Sequence, residues 1–328
     1  MSEKILVSGG CGYIGSHVVR QLSENGNTVV VYDNLSTGFR DALTHGEKLV
    51  EGDLADRDRL DNLFQSDSFT TVLHFAAAII APESVAKPLK YYGNNTRNTL
   101  GLLEACVKHG VKRFIFSSTA AVYGLPDGGV ASEESCPAPI NPYGTSKLMS
   151  EWMLRDVSAA HGMKYVALRY FNVAGADPQA RMGQRTQDAT HLIKVACQAA
   201  LGMRASVSIY GTDYPTPDGT GIRDYIHIED LASAHLCALD YLEKGGESTA
   251  MNVGYGYGSS VRDVLEVVKK ASGADFTVLE AERRPGDPAS LVASADKIRS
   301  LTGWKPRFNN LETIVADAWR WESMLAGR

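Results

Sequence analysis

Between an apolar run and an amphipathic one lies Ser8-Gly9-Gly10-Cys11-Gly12-Tyr13-Ile14-Gly15. The run before it, Lys4–Ser8, is β-branched and apolar almost throughout, as a strand covered on both faces should be. The segment after it sets Ile14, Val18 and Leu22 at i, i+4 and i+8, one face of a helix. The glycines satisfy two overlapping patterns, G-x-G-x-x-G on Gly10, Gly12 and Gly15 and G-x-x-G-x-x-G on Gly9, Gly12 and Gly15. A strand, a glycine turn and a helix N-terminus together bring bare backbone and unpaired N–H groups to a pyrophosphate. A second strand, Thr28–Asp33, ends in an acid about 20 residues downstream, where a carboxylate can accept from the hydroxyls of an adenosine ribose. An acid there repels a 2′-phosphate, which favours NAD over NADP. Asp53, past a third strand, is a candidate neighbour of the adenine and equally a solvated turn acid.

Working outward, further strands are read at Lys48–Glu51, Thr71–Phe75, Lys112–Ser117 and Lys164–Arg169, with helical patterns between them. This is the rhythm of an α/β, doubly wound parallel sheet. Asn141-Pro142 starts a longer helix, Asn capping and Pro in the first turn, which stops at His161-Gly162. Beyond about residue 172 the rhythm loosens. Asp213–Arg223, rich in Pro, Gly and Thr, reads as a functional loop; Val207–Tyr210 and Met251–Val253 read as strands, and Val261–Ala271 and Leu311–Leu325 as helices.

The 328 residues suffice for two domains at roughly 150 residues each. With 44% hydrophobic and 22% charged residues the chain is an ordinary globular protein, not a disordered or fibrous one. A net charge of −5 lacks the electrostatic footprint of a nucleic-acid binder. No apolar run is long enough for a membrane span, and the first residues show no signal-peptide layout. Five scattered cysteines without a C-x-x-C pair argue against a disulfide framework or a zinc site and for a reducing cytoplasm; no metal is expected.

Tyr143-Gly144-Thr145-Ser146-Lys147 sets Tyr and Lys four apart on one helix face. A phenol is a poor base at neutral pH, and a nearby ammonium together with a positively charged nicotinamide should bring its pKa down. Thr119, after the strand, offers a hydroxyl to the same substrate oxygen. A lone Y-x-x-x-K is usually a surface pair; behind this glycine fingerprint it marks Tyr143, Lys147 and Thr119 as the catalytic candidates.

Longer motifs carry a resemblance. They are Gly-Gly-Cys-Gly-Tyr-Ile-Gly-Ser-His (9–17), Asp-Asn-Leu-Ser (33–36), His-Phe-Ala-Ala (74–77), Pro-Leu-Lys-Tyr-Tyr-Gly-Asn-Asn (88–95), Phe-Ser-Ser-Thr-Ala-Ala-Val-Tyr-Gly (116–124) and Asn-Pro-Tyr-Gly-Thr-Ser-Lys (141–147). Further on come Leu-Arg-Tyr-Phe-Asn (168–172), Tyr-Gly-Thr-Asp-Tyr-Pro-Thr-Pro-Asp-Gly-Thr-Gly-Ile-Arg-Asp-Tyr-Ile-His (210–227) and Arg-Arg-Pro-Gly-Asp (283–287). Over nearly its whole length the chain resembles the extended short-chain dehydrogenase/reductase family, and the 210–227 stretch resembles that family's sugar-nucleotide 4-epimerase branch.

The resemblance implies a Rossmann-type sheet with a smaller C-terminal substrate domain: residues 1–171 with about 224–252 for NAD, and about 172–223 with 253–328 for a UDP-sugar. It implies interconversion of UDP-glucose and UDP-galactose, and of the N-acetylhexosamine pair more weakly, through a transient 4-keto sugar, with NAD held throughout. It places Gly9, Gly12, Tyr13, Ile14, Gly15, Asp33, Asn34, Ser36, Asp53, Leu54, Phe75, Ala76, Ala77, Asn94, Ser117, Tyr143, Lys147 and Tyr170 at NAD. The UDP-sugar falls to Ser118, Thr119, Phe171, Asn172, His191, Leu192, Tyr210, Arg223, Arg284, Asp287 and Leu291. Asn172, Arg223 and Arg284 meet the diphosphate, Tyr210 the uracil, Asp287 the uridine ribose, and Leu291 borders the sugar's 2-substituent. Three positions depart from the family's usual residues: Ile79 stands for a Lys, Thr190-His191-Leu192 for Asn-Asn-Leu, and Thr119 for a Ser. A homodimer is implied, through helices around Leu100–Lys108 and Trp152. Alternative readings are a UDP-pentose or UDP-uronate 4-epimerase, a 4,6-dehydratase, which in related enzymes has an Asp-Glu pair where this chain has Thr119-Ala120, and a non-catalytic NAD-binding regulator on the same fold.

Overall fold

The computed structural model describes residues 3–186, 189–284 and 286–327; Pro285 of the Arg-Arg-Pro-Gly-Asp motif lies outside them. Its centre is a seven-stranded parallel sheet in the order Thr249–Val253, Lys164–Tyr170, Arg113–Ser117, Phe69–His74, Lys4–Ser8, Thr28–Asp33, Lys48–Glu51. The first half of the sheet winds outward one way from Lys4–Ser8 and the rest the other way from Phe69–His74. The crevice between those two strands' C-terminal ends is the topological switch point, where open α/β sheets bind ligands.

Strand alternation explains the two-sided core. Ile5 and Val7 face one layer, with Val18 and Leu22 of the helix Tyr13–Glu24 and Leu231 and Leu239 of the helix Ile228–Glu243. Leu6 and Val30 face the other, with Leu60 and Phe64 of Arg57–Ser66, Leu102 and Leu103 of Asn98–Lys108, and Leu154 of Pro142–His161. Such doubly covered strands read as continuous apolar runs. The first layer continues without a break into Ile193, Cys197, Val264, Leu265, Ile314 and Val315 of the C-terminal helices.

Lys4–Ser8, Thr28–Asp33, Lys48–Glu51 and Val207–Tyr210 have the bounds their sequence suggests. The fourth strand ends at His74, one residue earlier than expected, because the N–H groups of Phe75 and Ala76 both turn to the Ser8 carbonyl, at 2.8 and 3.2 Å. The Pro142–His161 helix is capped as read: the Asn141 side chain accepts from the Gly144 N–H and Gly162 takes φ 73°. The helix Ile228–Glu243 was not read from the sequence, and neither was the short helical stretch Ala81–Ala86, Pro88–Tyr91 and Tyr92–Arg97. The expected loop 213–223 is irregular except for Ile222–Arg223, which pairs with Ser290–Ala293 in a small four-stranded sheet. Val130–Ala131, placed by sequence on the dinucleotide side, is the edge of that same small sheet. Among the described residues no helix is long and apolar enough to cross a membrane.

A buried ionic network ties the helix after the glycine turn to the rest. His17, Arg20, Gln21 and Glu24 share one face of Tyr13–Glu24. His17 Nδ1 lies 2.6 Å from Glu229 Oε1, Arg20 pairs with Glu229, and Gln21 Nε2 donates to Glu229 Oε2 at 2.9 Å. Arg20 also grips Glu24 at 2.7 Å, and Arg181 grips Asp177 at 2.6 Å alongside it. Burial works against the Glu229 charge, yet the bonds from His17 and Arg20 win and pull its carboxyl down to about 2. A carboxyl lowered in the folded state contributes stability above its ordinary value near 4.5 and loses it as the pH falls through about 2. Glu229→Ala takes the shared buried partner from His17 and Arg20, leaving Arg20 only Glu24, and is expected to cost about 3–5 kcal/mol at neutral pH. Urea unfolding followed by circular dichroism should show that loss, with a shallower decline than the parent's between pH 5 and pH 2.

Candidate functional site

The glycine turn sits at the switch point. Gly9 takes φ +76°, and a Cβ there would lie 2.5 Å from the Ala76 amide nitrogen. A Cβ on Gly15 would lie 2.2 Å from the Gly9 carbonyl oxygen. Gly12 precedes the helix without a side chain to cap it, so the first-turn N–H groups are left for another acceptor. The Tyr13 hydroxyl donates to the Gly175 carbonyl at 2.7 Å and Ile14 packs into the core. Their backbone N–H groups, in the first turn of the helix, remain open to a ligand.

At the end of the second strand the buried Asp33 carboxylate accepts from the Cys11 N–H at 2.9 Å and the Leu35 N–H at 2.8 Å. Burial raises its pKa against the pull of both bonds. Asn34 Nδ2 donates to Asp53 Oδ2 at 2.8 Å, and the Ser36 N–H donates to Asn34 Oδ1. Asp53 also accepts from the Ala55 N–H, as a turn acid does, and Leu54 beside it is buried. Phe75, Ala76 and Ala77 follow the fourth strand along the opposite wall, with the Phe75 ring 4.9 Å from His235. The Asn94 side chain donates to Asn95 Oδ1. Ile79 is exposed.

The base helix, Pro142–His161, brings Tyr143 and Lys147 against the end of the fifth strand. Three consecutive residues there meet it or its neighbours. The Ser117 carbonyl accepts from Lys147 Nζ at 2.8 Å while its hydroxyl pairs with that of Tyr170. The Thr119 side chain accepts from the Ala121 N–H at 3.1 Å and sits near enough to the Tyr143 phenol to act on its pKa. The Ser118 hydroxyl is fully buried and donates to Glu151 at 2.5 Å, which removes it from the substrate face and corrects its expected role. Burial raises the Tyr143 phenol above its ordinary range, and the nearby Thr119 hydroxyl lowers it only in part. Burial also brings Lys147 down to about 7, with Glu151 opposing. Of the two charges expected to bring the phenol down, the Lys147 ammonium is itself weakened by burial. Lys147 is turned to a carbonyl and to the Phe116 ring, 4.9 Å from its centroid, and dehydration governs both groups.

A second cluster carries positive charge. Asp287 accepts from Arg223 at 2.8 Å and from Arg284 at 2.8 Å, and the Arg284 guanidinium lies 4.8 Å from the centre of the exposed Tyr210 ring. Both Asp287 oxygens are thus engaged by arginines, where sequence had reserved them for a ribose. Asn172 is exposed, its N–H on the Asp224 carbonyl. His191 immediately precedes the helix Leu192–Ala200, beside its free N–H groups, and its Nδ1 lies 2.9 Å from the Gln184 amide. Leu291 stands opposite Arg223 in the small sheet and packs on the cluster of Ala120, Leu148 and Phe171, which joins the arginines to the base helix. Among the described residues no three of His, Cys, Asp and Glu gather as they would around a metal ion.

Sequence reasoning passed over three buried polar groups. His74 lies 2.7 Å from the Ser8 hydroxyl and 2.8 Å from that of Thr99, and burial, helped by Lys147, brings it to about 3. Asn95 bridges the Ala78 backbone and the Ser146 hydroxyl. Glu151 pairs with Arg169. The signal for Glu151 was available: it is the third member of the i, i+4 series that Tyr143 and Lys147 begin.

A sequence model of the NAD dependent epimerase/dehydratase family matches residues 5–254. The UDP-glucose 4-epimerase of Azospirillum brasilense is 54% identical over 324 residues, 99% of this chain and 93% of its own length. The UDP-Glc/GlcNAc 4-epimerase of Campylobacter jejuni superposes with a TM-score of 0.88 at 52% identity, over 98% of this chain and 100% of that one. A UDP-glucose 4-epimerase from Brucella ovis, solved in complex with NAD, superposes with a TM-score of 0.94 at 42% identity, over 97% and 98% of the two chains.

The glycine geometry makes a prediction. Gly15→Ala places a methyl on the Gly9 carbonyl and forces the turn open. The variant should purify with less than about a tenth of the parent's bound dinucleotide, a loss above 1.4 kcal/mol of affinity, measured in the supernatant after denaturation.

Proposed function

The chain belongs to the NAD dependent epimerase/dehydratase family, and from that premise we propose that it inverts C4 of UDP-hexoses, interconverting UDP-glucose and UDP-galactose. The observation that carries this is Tyr143 near the Thr119 hydroxyl, with Lys147 one turn on and bonded to the Ser117 carbonyl, in a chain 54% identical over 99% of its length to a UDP-glucose 4-epimerase.

The residues fit NAD. Gly9, Gly12 and Gly15 form a cradle that side chains would fill, with Asp33 beyond it at the second strand's end. Phe75, Ala76, Asn94, Ser117 and Tyr170 are the further candidates along the crevice. When bound, the oxidised dinucleotide supplies a reversible hydride acceptor and a positive ring charge that favours the Tyr143 phenolate. Tyr143 takes the proton of the sugar 4-hydroxyl and later returns it. Thr119 orients that oxygen, and Lys147, poised near neutrality, holds the adjoining ribose and shares charge with the phenol. In this reading Arg223 and Arg284 meet the diphosphate, Asn172, His191 and the N-terminus of Leu192–Ala200 lie beside it, and Tyr210 packs on the uracil. The dinucleotide falls to residues 1–171 with about 224–252, apart from the Val130–Ala131 edge, and the sugar nucleotide to the remainder. The enzyme is proposed to work in the cytoplasm, which its five unbridged cysteines suit. A homodimer is proposed through the helices that leave Leu100 and Trp152 exposed.

Incubation of the purified protein with UDP-galactose, with products read by NMR, should give UDP-glucose, and denaturing it should release NAD(H). No interconversion with any UDP-hexose overturns the reading. Tyr143→Phe keeps the ring and removes the proton acceptor, so kcat should fall at least ~10²-fold while UDP affinity is unchanged.

Leu291 sets a further expectation. Its side chain is smaller than Tyr and lies against Phe171 and Ala120, so the N-acetylated pair should be turned over with kcat/KM about 10–200-fold below the plain hexoses. Leu291→Tyr should lower only the N-acetyl rate; equal losses on both pairs would remove Leu291 from the sugar pocket.

A further inference from the structure

Beneath the catalytic face a chain of buried polar contacts runs through four elements. Glu151, one turn beyond Lys147, is 6% exposed. Its Oε1 accepts from the Ser118 hydroxyl at 2.5 Å and from Arg169 Nε at 3.0 Å, and its Oε2 accepts from Arg169 Nη2 at 2.5 Å. Arg169 Nη1 donates to the Tyr123 hydroxyl at 2.9 Å, which donates to Asn252 Oδ1 at 2.6 Å. Asn252 Nδ2 in turn reaches the carbonyls of Ala131, at 2.9 Å, and Ser294, at 3.2 Å, in the segments of the small sheet.

The geometry at the strand end gives this chain a purpose. Successive side chains of extended backbone point to opposite faces. Ser117 and Thr119 therefore share one face, toward Tyr170 and Tyr143, while Ser118 points the other way, into the interior. Anchoring Ser118 from below fixes the aim of both neighbours above. A packing role alone would be served by two apolar side chains, because a buried ion pair rarely exceeds them in net stability. An apolar pair cannot supply a directional acceptor for Ser118, nor a negative charge one turn from Lys147.

We propose that Glu151 is a positioning residue: its carboxylate, braced by Arg169, aims the Ser117–Thr119 strand end and supplies the counter-charge to Lys147. This rests on the catalytic reading above. Lys147 meets Glu151 from its own helix, His74 from the fourth strand, and Phe116 and the Ser117 carbonyl from the fifth; Tyr143 lies one turn before it, and the Tyr170 hydroxyl pairs with that of Ser117 beside the paired Arg169. Glu151 is the carboxylate among them.

The test titrates Lys147 directly, through its ¹³Cε shift in lysine-labelled protein, assigned by its disappearance in Lys147→Arg. The parent midpoint is expected near 7. In Glu151→Gln it should fall by about one unit, with the alkaline limb of kcat following it and KM unmoved; kcat at pH 8 then drops about tenfold. Glu151→Asp restores the charge and should restore the midpoint. A folded Glu151→Gln with the parent's midpoint and pH profile overturns the proposal. Should that variant fail to fold, the apolar pair Glu151→Met with Arg169→Met removes both charges without leaving one unpaired, and an unshifted Lys147 there overturns it equally. A parent that turns over no UDP-hexose sinks the catalytic reading instead, while the titration still decides the role of Glu151.

Discussion

Two backbone crossings constrain everything else in this protein. The first strand leaves the sheet through Gly9, which passes so near the Ala76 amide that no side chain fits, and the helix beyond returns so near the Gly9 carbonyl that Gly15 must also be bare. These contacts bring two parallel strands and one helix N-terminus to a single point. From there the sheet winds away in both directions, and the crevice lies where it must. The buried Glu229 cluster then fixes the helix against its neighbour, so the turn is held at one end by sterics and at the other by charge.

Dehydration is the second organising influence, and it acts on the phenol, the lysine and His74, above an ion pair formed by Glu151 and Arg169. It pushes the phenol up and the lysine and His74 down, each toward its neutral form. These three groups keep little charge of their own at neutral pH. They respond strongly to charge brought in by a ligand, because opposing charges are felt at close range with little water between them.

The architecture was legible because apolar runs and helical periods are local signals. Four strands and the capped helix Pro142–His161 could be bounded from their own residues. The strand ending at His74 could not, since its end is set by the distant Ser8 carbonyl. The site was legible as a set of candidates and illegible in its pairings. Nothing in a string of letters shows that Ser118 turns inward while Thr119 faces Tyr143, or that the Tyr13 hydroxyl crosses to Gly175. Nor does residue type tell which of burial and Coulomb attraction governs a lysine; that depends on what surrounds it. The pairing of Val130–Ala131 with Ser290–Ala293 was hidden for the same reason, the two strands lying far apart along the chain.

With the diphosphate placed on Arg223 and Arg284 as proposed, their pairing with Asp287 bears on how quickly the enzyme can let go. An anion arriving at these arginines does not meet bare cations; it competes with a carboxylate already in place. Binding is then an exchange of partners, and the free energy gained per contact is the difference between two ion pairs rather than the whole of one. The same carboxylate stands ready to reclaim the arginines as the ligand loosens, shortening its residence. Substrate and product of a C4 inversion carry the same nucleotide, so an enzyme that gripped that shared part too deeply would be slowed by its own product.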